Sequence, residues 1–160
     1  MRETRAVPTP AVPPSVSRVK DIDVAILAAR AAAEIVADGF RQATEADMKG
    51  VVDPVTATDR AAEAAVVEVL AELRPDDGLL AEEGSASETT SVRRWVVDPL
   101  DGTVNFVSGI PQVGGSVALG DSDGPLVGVV GDPLRDEDFS AERGRGAYLY
   151  GSPIRVSSRV

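Results

Sequence analysis

Residues 95–106 read WVVDPLDGTVNF, and the reading of the whole chain turns on them. Trp95-Val96-Val97 is a short apolar run of strand type. It drives into Asp98 and then, three residues on, Asp101, with Pro99 stiffening the chain between them. Gly102, Thr103 and Asn105 follow. As backbone chemistry the string is a good turn: proline at a turn position, aspartate capping, glycine ready for positive φ. As side-chain chemistry it aims two carboxylates at one spot, and like charges that close need a positive partner.

Upstream, GLLAEE (78–83) is a second short strand, and it too ends on acids, Glu82 and Glu83. Paired acids on a loop are commonly just solvated. If the two strands are neighbours, however, their acidic ends converge. Before them, residues 21–40 repeat apolar side chains at helical spacing through Ile22, Ala25, Ile26, Ala29, Ala33 and Val36. Asp21 or Asp23 caps that helix, and Gly39 is placed for its C-terminus. A polar loop, RQATEADMKGVVDPVTAT, leads to a second helix from about Asp59 to Leu73, stopped by Pro75. Here Asp59 reads as an N-cap and Thr56 as a turn residue.

Downstream, GGSVALG, GPLVGVVGD, DEDFSAER, GAYLY and IRVSS are short apolar runs punctuated by Gly, Asp and Pro. Two helices followed by a run of strands argue α+β, with the helices packed on a largely antiparallel sheet. The glycines of QVGGSVAL suggest loose packing in that strand. Residues 1–18 hold Pro8, Pro10, Pro13 and Pro14 and read as a flexible, polyproline-leaning tail rather than a signal peptide.

Composition narrows the chemistry. The chain has 160 residues, 43% of them hydrophobic, which suits one globular domain with a core. It has no cysteine and no histidine, which excludes disulfides, thiolate nucleophiles, Cys/His zinc sites and Ser-His-Asp triads. Its net charge of −10 argues against nucleic-acid binding. No apolar run is long enough to span a membrane, and a cytoplasmic location is the default expectation. Carboxylates at a sheet end, with no histidine, suit Mg²⁺, which takes oxygen ligands and is often shared with a phosphate. A glycine after Asp101 lets backbone amides approach an anion, and a short helix starting near Thr103 would add its free N–H groups. A glycosidase pair is the competing use of two carboxylates. Asp98 and Asp101 lie on one tight turn, however, and three Phe, two Tyr and one Trp offer little sugar stacking.

These residues resemble a known family. WVVDPLDGTVNF is similar at every position to the inositol monophosphatase signature W-(apolar)-(apolar)-D-P-(L/I)-D-G-T-x-N-F. AEEGS resembles the family's G-E-E-S segment, with Ala81 for the usual glycine and Gly84 before the serine. KGVVDPVTATDRAAE resembles its K-x-x-x-D-x-V-T-x-x-D-x-x-x-E element, and ERGRGAYLYGSPIRVS a G-x-G-A segment that closes the first lobe.

The resemblance implies Mg²⁺-dependent hydrolysis of a small phosphate monoester, with two or three ions. It implies Glu82, Asp98, the Leu100 carbonyl and Asp101 as metal ligands, and Gly102 and Thr103 as the phosphate seat. It implies Asp59 with Thr103 to orient the attacking water, Glu83 in support, and Lys49 near the site. Inositol 1-phosphate is the leading substrate; histidinol phosphate, fructose 1,6-bisphosphate and nucleotide 3′-phosphates are alternatives within the family.

The family's second lobe carries a W-D-x-A-A element, which this sequence lacks. The expectation is therefore an N-terminal lobe over residues 19–160, short of one ligand for the second metal. The lobe-facing surface would be exposed and open to homodimer formation or other association. The alternative to an enzyme is a non-catalytic fragment that binds a metal or a partner.

Overall fold

The computed structural model describes residues 19–46, 54–82, 84–87 and 89–158. Two long helices come first, α1 (Asp21–Ala46) and α2 (Pro54–Leu73). The strands are β1 (Gly78–Ala81), β2 (Ala86–Ser87), β3 (Arg94–Asp101), β4 (Gly114–Asp121), β5 (Gly124–Asp132), β6 (Glu137–Glu142), β7 (Gly146–Leu149) and β8 (Ser152–Ile154). A five-residue helix, α3 (Thr103–Val107), joins β3 to β4. The strands form one sheet in the order β2-β1-β3-β4-β5-β6-β7-β8. Every described pair is antiparallel except β1 with β3, which run parallel. The α+β expectation holds.

Both helices are longer than the sequence suggests. Gly39 lies inside α1, which continues through Ala46. The residues after it are mostly good helix formers, and their summed propensity outweighs the ~1 kcal/mol that an interior glycine costs. α2 starts at Pro54, five residues before Asp59. Proline in the first helical position lacks only an N–H that has no partner there anyway, and its φ is preset for the helix. Thr56 and Asp59 are therefore helical residues, not a turn and a cap. At the other end of the chain, β8 covers 152–154, so IRVSS supplies only its last residue, Ile154.

The core lies between the helices and one face of the sheet. α1 contributes Val24, Ala25, Ala28, Ala29, Ala32 and Val36, and α2 contributes Ala62, Val66 and Leu70. Alanines let the helix backbones come close to the sheet. Alternation on β3 sends Trp95 and Val97 inward, where they meet Val117 and Leu119 of β4 and Val127 and Val129 of β5. The opposite face carries Leu80, Val96, Val130, Phe139 and Ile154, all exposed.

The expected looseness of β4 does not occur. Val117 and Leu119 are fully buried. A Cβ on Gly115 would stand 2.8 Å from the Pro99 carbonyl oxygen, and one on Gly114 3.2 Å from the Gly131 carbonyl oxygen. These glycines let neighbouring backbones approach.

The β7–β8 hairpin turns through Tyr150 (φ 50°) and Gly151 (φ 74°), both left-handed. That is the φ pattern of a type I′ turn, which prefers Asn-Gly. A tyrosine there carries a steric penalty that asparagine largely avoids. Tyr150→Asn should stabilise the chain by about 0.5–1 kcal/mol, a rise of roughly 2 °C in melting temperature. An unchanged or lower melting temperature would show that the tyrosine ring contributes more than the turn costs.

Candidate active site

Parallel pairing of β1 with β3 sets Ala81 beside Val97. One residue further, Glu82 leaves β1 beside Asp98, which is still within β3, and the Glu82 N–H donates to the Val97 carbonyl at 3.2 Å. The convergence expected from the sequence is real, and it lies at the carboxyl ends of two parallel strands. The Leu100 N–H donates to the Asp98 carboxylate and favours its charge. The opposing effects are stronger. Burial comes first, followed by the Glu82 charge, a hydrogen bond shared with Glu82, and the Asp101 charge. Together they push the Asp98 carboxyl up to about 6. Asp98 Oδ1 is buried and has no hydrogen-bond partner.

The register between β3 and β4 slips between Asp98 and Asp101. This bulge turns the chain, and the missing side chain of Gly115 makes room for the Pro99 carbonyl within it. Leu100 is buried, and its carbonyl accepts from the Thr103 hydroxyl at 3.3 Å. Asp101 is exposed at the strand end. Gly102 follows with φ 90° and caps α3 through its backbone, without a side-chain bond.

Two residues absent from the sequence-based list hold this loop. The Asn105 side-chain amide donates to the Gln112 carbonyl at 2.8 Å, and a Cβ on Gly102 would come within 2.9 Å of that same oxygen. Glycine and asparagine in D-G-T-x-N-F thus serve one carbonyl. Phe106 of the same motif is fully buried and meets Phe40 edge to face at 5.7 Å. Glu63 is a third such residue: it is buried and accepts from the Ser85 N–H at 3.0 Å, tying α2 to the loop after Glu82. Its place in the T-x-x-D-x-x-x-E element was the available signal.

Asp59 is buried in α2, which touches both β3 and α3. Lys49 and Glu83 lie outside the described residues. An anionic oxygen buried without a donor, beside a second carboxylate, fits a ligand for a hard cation. Among the described residues no three acidic side chains form a complete metal cage. The close pair is Glu82 and Asp98, with Asp101 acting on Asp98 through its charge.

The inositol monophosphatase family profile matches residues 18–160, and the chain belongs to that family. It is 46% identical over 142 residues to inositol monophosphatase 2 of Solanum lycopersicum, covering 86% of this chain and 54% of the relative. It is 42% identical over 141 residues to the Nus factor SuhB of Haemophilus influenzae, covering 86% and 53%. Among solved structures, the extragenic suppressor protein SuhB of Bartonella henselae superposes with a TM-score of 0.76 at 36% identity, over 86% of this chain and 54% of that one. Inositol monophosphatase from Anabaena gives 0.73 at 34%, over 86% and 50%. The chain spans about half the length of the curated relatives it matches.

Two measurements test the site. Gly115→Ala should cost on the order of 1–3 kcal/mol by pushing on Pro99. Gly128→Ala, whose Cβ meets nothing within 4 Å, should be near neutral. Equal denaturation midpoints for the two variants would refute the close-approach argument.

The second concerns pH. Asp98 titrates higher in the folded chain than in the unfolded one, so the folded state keeps a proton that the unfolded state has lost between about pH 4 and 6. Cation-free stability should therefore fall as pH rises through that window and stay lowered above it. Asp98→Asn should raise the cation-free melting temperature at pH 7.5 but hardly at pH 4, and should remove any Mg²⁺-induced rise. A Mg²⁺ effect as large in Asp98→Asn as in the parent would contradict this assignment.

Proposed function

We propose that this chain carries the cation- and phosphate-binding part of a Mg²⁺-dependent phosphate monoesterase, with inositol 1-phosphate as the leading substrate. The observation that carries the reading is the Asp98 carboxylate, half-buried against Glu82 with one oxygen lacking a donor. Family membership over residues 18–160 supports it.

In this reading Glu82, Asp98, Asp101 and the Leu100 carbonyl hold the ions, and Glu83 supports them. Bound Mg²⁺ supplies a lowered pKa for its water and neutralises phosphate charge. The Gly102 and Thr103 amides face the phosphate, made accessible by the left-handed glycine. Asp59 and Thr103 orient a water for attack on phosphorus, opposite the ester oxygen. The P–O bond to the inositol oxygen breaks as the new one forms; the attacking water gives up a proton and the leaving oxygen gains one, so ester and water become inositol and inorganic phosphate. The resemblance adds Lys49 as a supporting residue. Histidinol phosphate, fructose 1,6-bisphosphate and nucleotide 3′-phosphates are the other candidate substrates within the family.

The isolated chain is expected to bind Mg²⁺ yet turn over slowly, because residues 19–160 would form a first lobe that lacks one ligand of the second ion. The test is phosphate release from inositol 1-phosphate with and without Mg²⁺. Expected is weak, Mg²⁺-dependent release that falls at least a hundredfold in Asp98→Asn. Full turnover by the isolated chain would remove the incompleteness claim, and release indifferent to both Mg²⁺ and Asp98 would remove the phosphatase reading.

A second reading is a binding role without catalysis. Its support is the exposed apolar sheet face of Leu80, Val96, Val130, Phe139 and Ile154, since such patches commonly meet another surface. Light scattering separates the two. A chain that is monomeric and responds to Mg²⁺ favours the enzyme; a self-associating chain without that response favours the binding role.

A further inference from the structure

Gly39 and Phe40 lie in the C-terminal half of α1 and touch both elements that carry the remaining site residues. A Cβ on Gly39 would stand 2.5 Å from Thr58 Oγ1 and 2.7 Å from Thr58 Cγ2. Both of these γ positions face the glycine, so rotation about χ1 always leaves at least one of them filled. Thr58 is buried, and the next residue is Asp59. The turn of α2 that bears Asp59 therefore rests on bare α1 backbone. A glycine disfavours a helix interior, so a close contact here gives it a reason.

Phe40, the next residue, meets Phe106 at 5.7 Å between ring centroids and 77° between planes. Phe106 is fully buried and sits three residues after Thr103 in α3, a helix whose N-cap makes no side-chain bond. One step of α1 thus contacts α2 beside Asp59 and α3 beside Thr103. Glu82, Asp98 and Asp101 belong instead to the sheet and its end.

We infer that Gly39 and Phe40 are positioning residues that set Asp59 and Thr103 relative to each other without acting on the cation-binding carboxylates. What the pair then does rests on the phosphatase reading above; the packing does not. Gly39→Ala should displace Asp59, and alanine's better helix propensity should keep the change in melting temperature small. Phe40→Ala should loosen Thr103.

The test titrates the whole 160-residue chain with Mg²⁺ and then, at saturating Mg²⁺, with inorganic phosphate. Amide spectra of Asp59, Asp98 and Thr103 are read alongside phosphate release. In Gly39→Ala the Asp59 amide should move, Mg²⁺ affinity should stay within twofold, and kcat should fall at least tenfold at unchanged KM. Adding Thr58→Ala, which removes both γ atoms, should return the Asp59 amide and kcat to near the parent values. Phe40→Ala should weaken phosphate binding at least fivefold with Mg²⁺ affinity kept; if it fails to fold, the Gly39/Thr58 pair decides.

Loss of Mg²⁺ affinity in step with the other effects, or no rescue by Thr58→Ala, would reduce both residues to packing and overturn the inference. A parent chain that binds neither Mg²⁺ nor phosphate would overturn the phosphatase reading and the positioning role with it. A parent that binds both while Gly39→Ala matches it throughout would overturn the positioning role alone.

Discussion

Repulsion between Glu82 and Asp98 is the constraint around which the sheet end is built. Close like charges at the effective dielectric of a protein oppose each other by on the order of a few kcal/mol. That is a large share of the 5–15 kcal/mol that holds a typical domain together. A fold free to relax would separate them. Here the parallel β1–β3 register delivers both to the same end, and the Glu82 N–H bond to Val97 fixes the offset. The bulge after Asp98 adds Asp101 to the same field. Backbone contacts lock the bulge in place, with Pro99 against Gly115 and Gln112 against Gly102.

The opposite end of the same strands shows what the chain does with charge when the role is structural. Arg93 bonds Asp77 at 2.9 Å and Asp21 at 3.0 Å, Arg74 bonds Asp21 at 2.8 Å, and the Trp95 indole N–H donates to Asp77 at 3.1 Å. This network ties the start of α1, the end of α2 and the starts of β1 and β3. Burial works against the charge on Asp21, but the Arg93 and Arg74 hydrogen bonds outweigh it and hold its carboxyl below the ordinary range. Asp98 is displaced the other way. Two partly buried aspartates at opposite ends of one sheet thus differ in sign of shift because one has guanidinium partners and the other has carboxylate neighbours. In that network each carboxylate has a guanidinium partner. An uncompensated pair has none, which is the pattern expected of groups kept for a ligand.

Much of this was legible in the sequence, and the legible part has a common cause. Strand alternation, the acidic strand ends and the D-P-L-D-G-T turn are local features, and local chemistry specifies them. The convergence of Glu82 with Asp98 needed only the added condition that their strands be neighbours. The helix ends were misread where a local signal met a longer-range one. Gly39 carries the conformational freedom of a terminus, but helix-forming residues on both sides and Thr58 packed against it keep it interior. Asp59 has the chemistry of a cap, but Pro54 starts the helix a turn and more earlier.

The same distinction explains the glycines of β4. Read along the chain, Gly114 and Gly115 weaken a strand. Read across the sheet, they are the places where Gly131 and Pro99 come closest. No periodicity along a single sequence encodes which backbone will lie 3 Å away, because that partner is set by strand order. The residues that sequence analysis overlooked share this property. Asn105, Phe106, Glu63 and Gly115 act by contact with other segments or by holding a loop shut, and those contacts show only once the segments are placed side by side. The chemistry of the site is written in its carboxylates; its geometry is written in the gaps and contacts that let one backbone approach another.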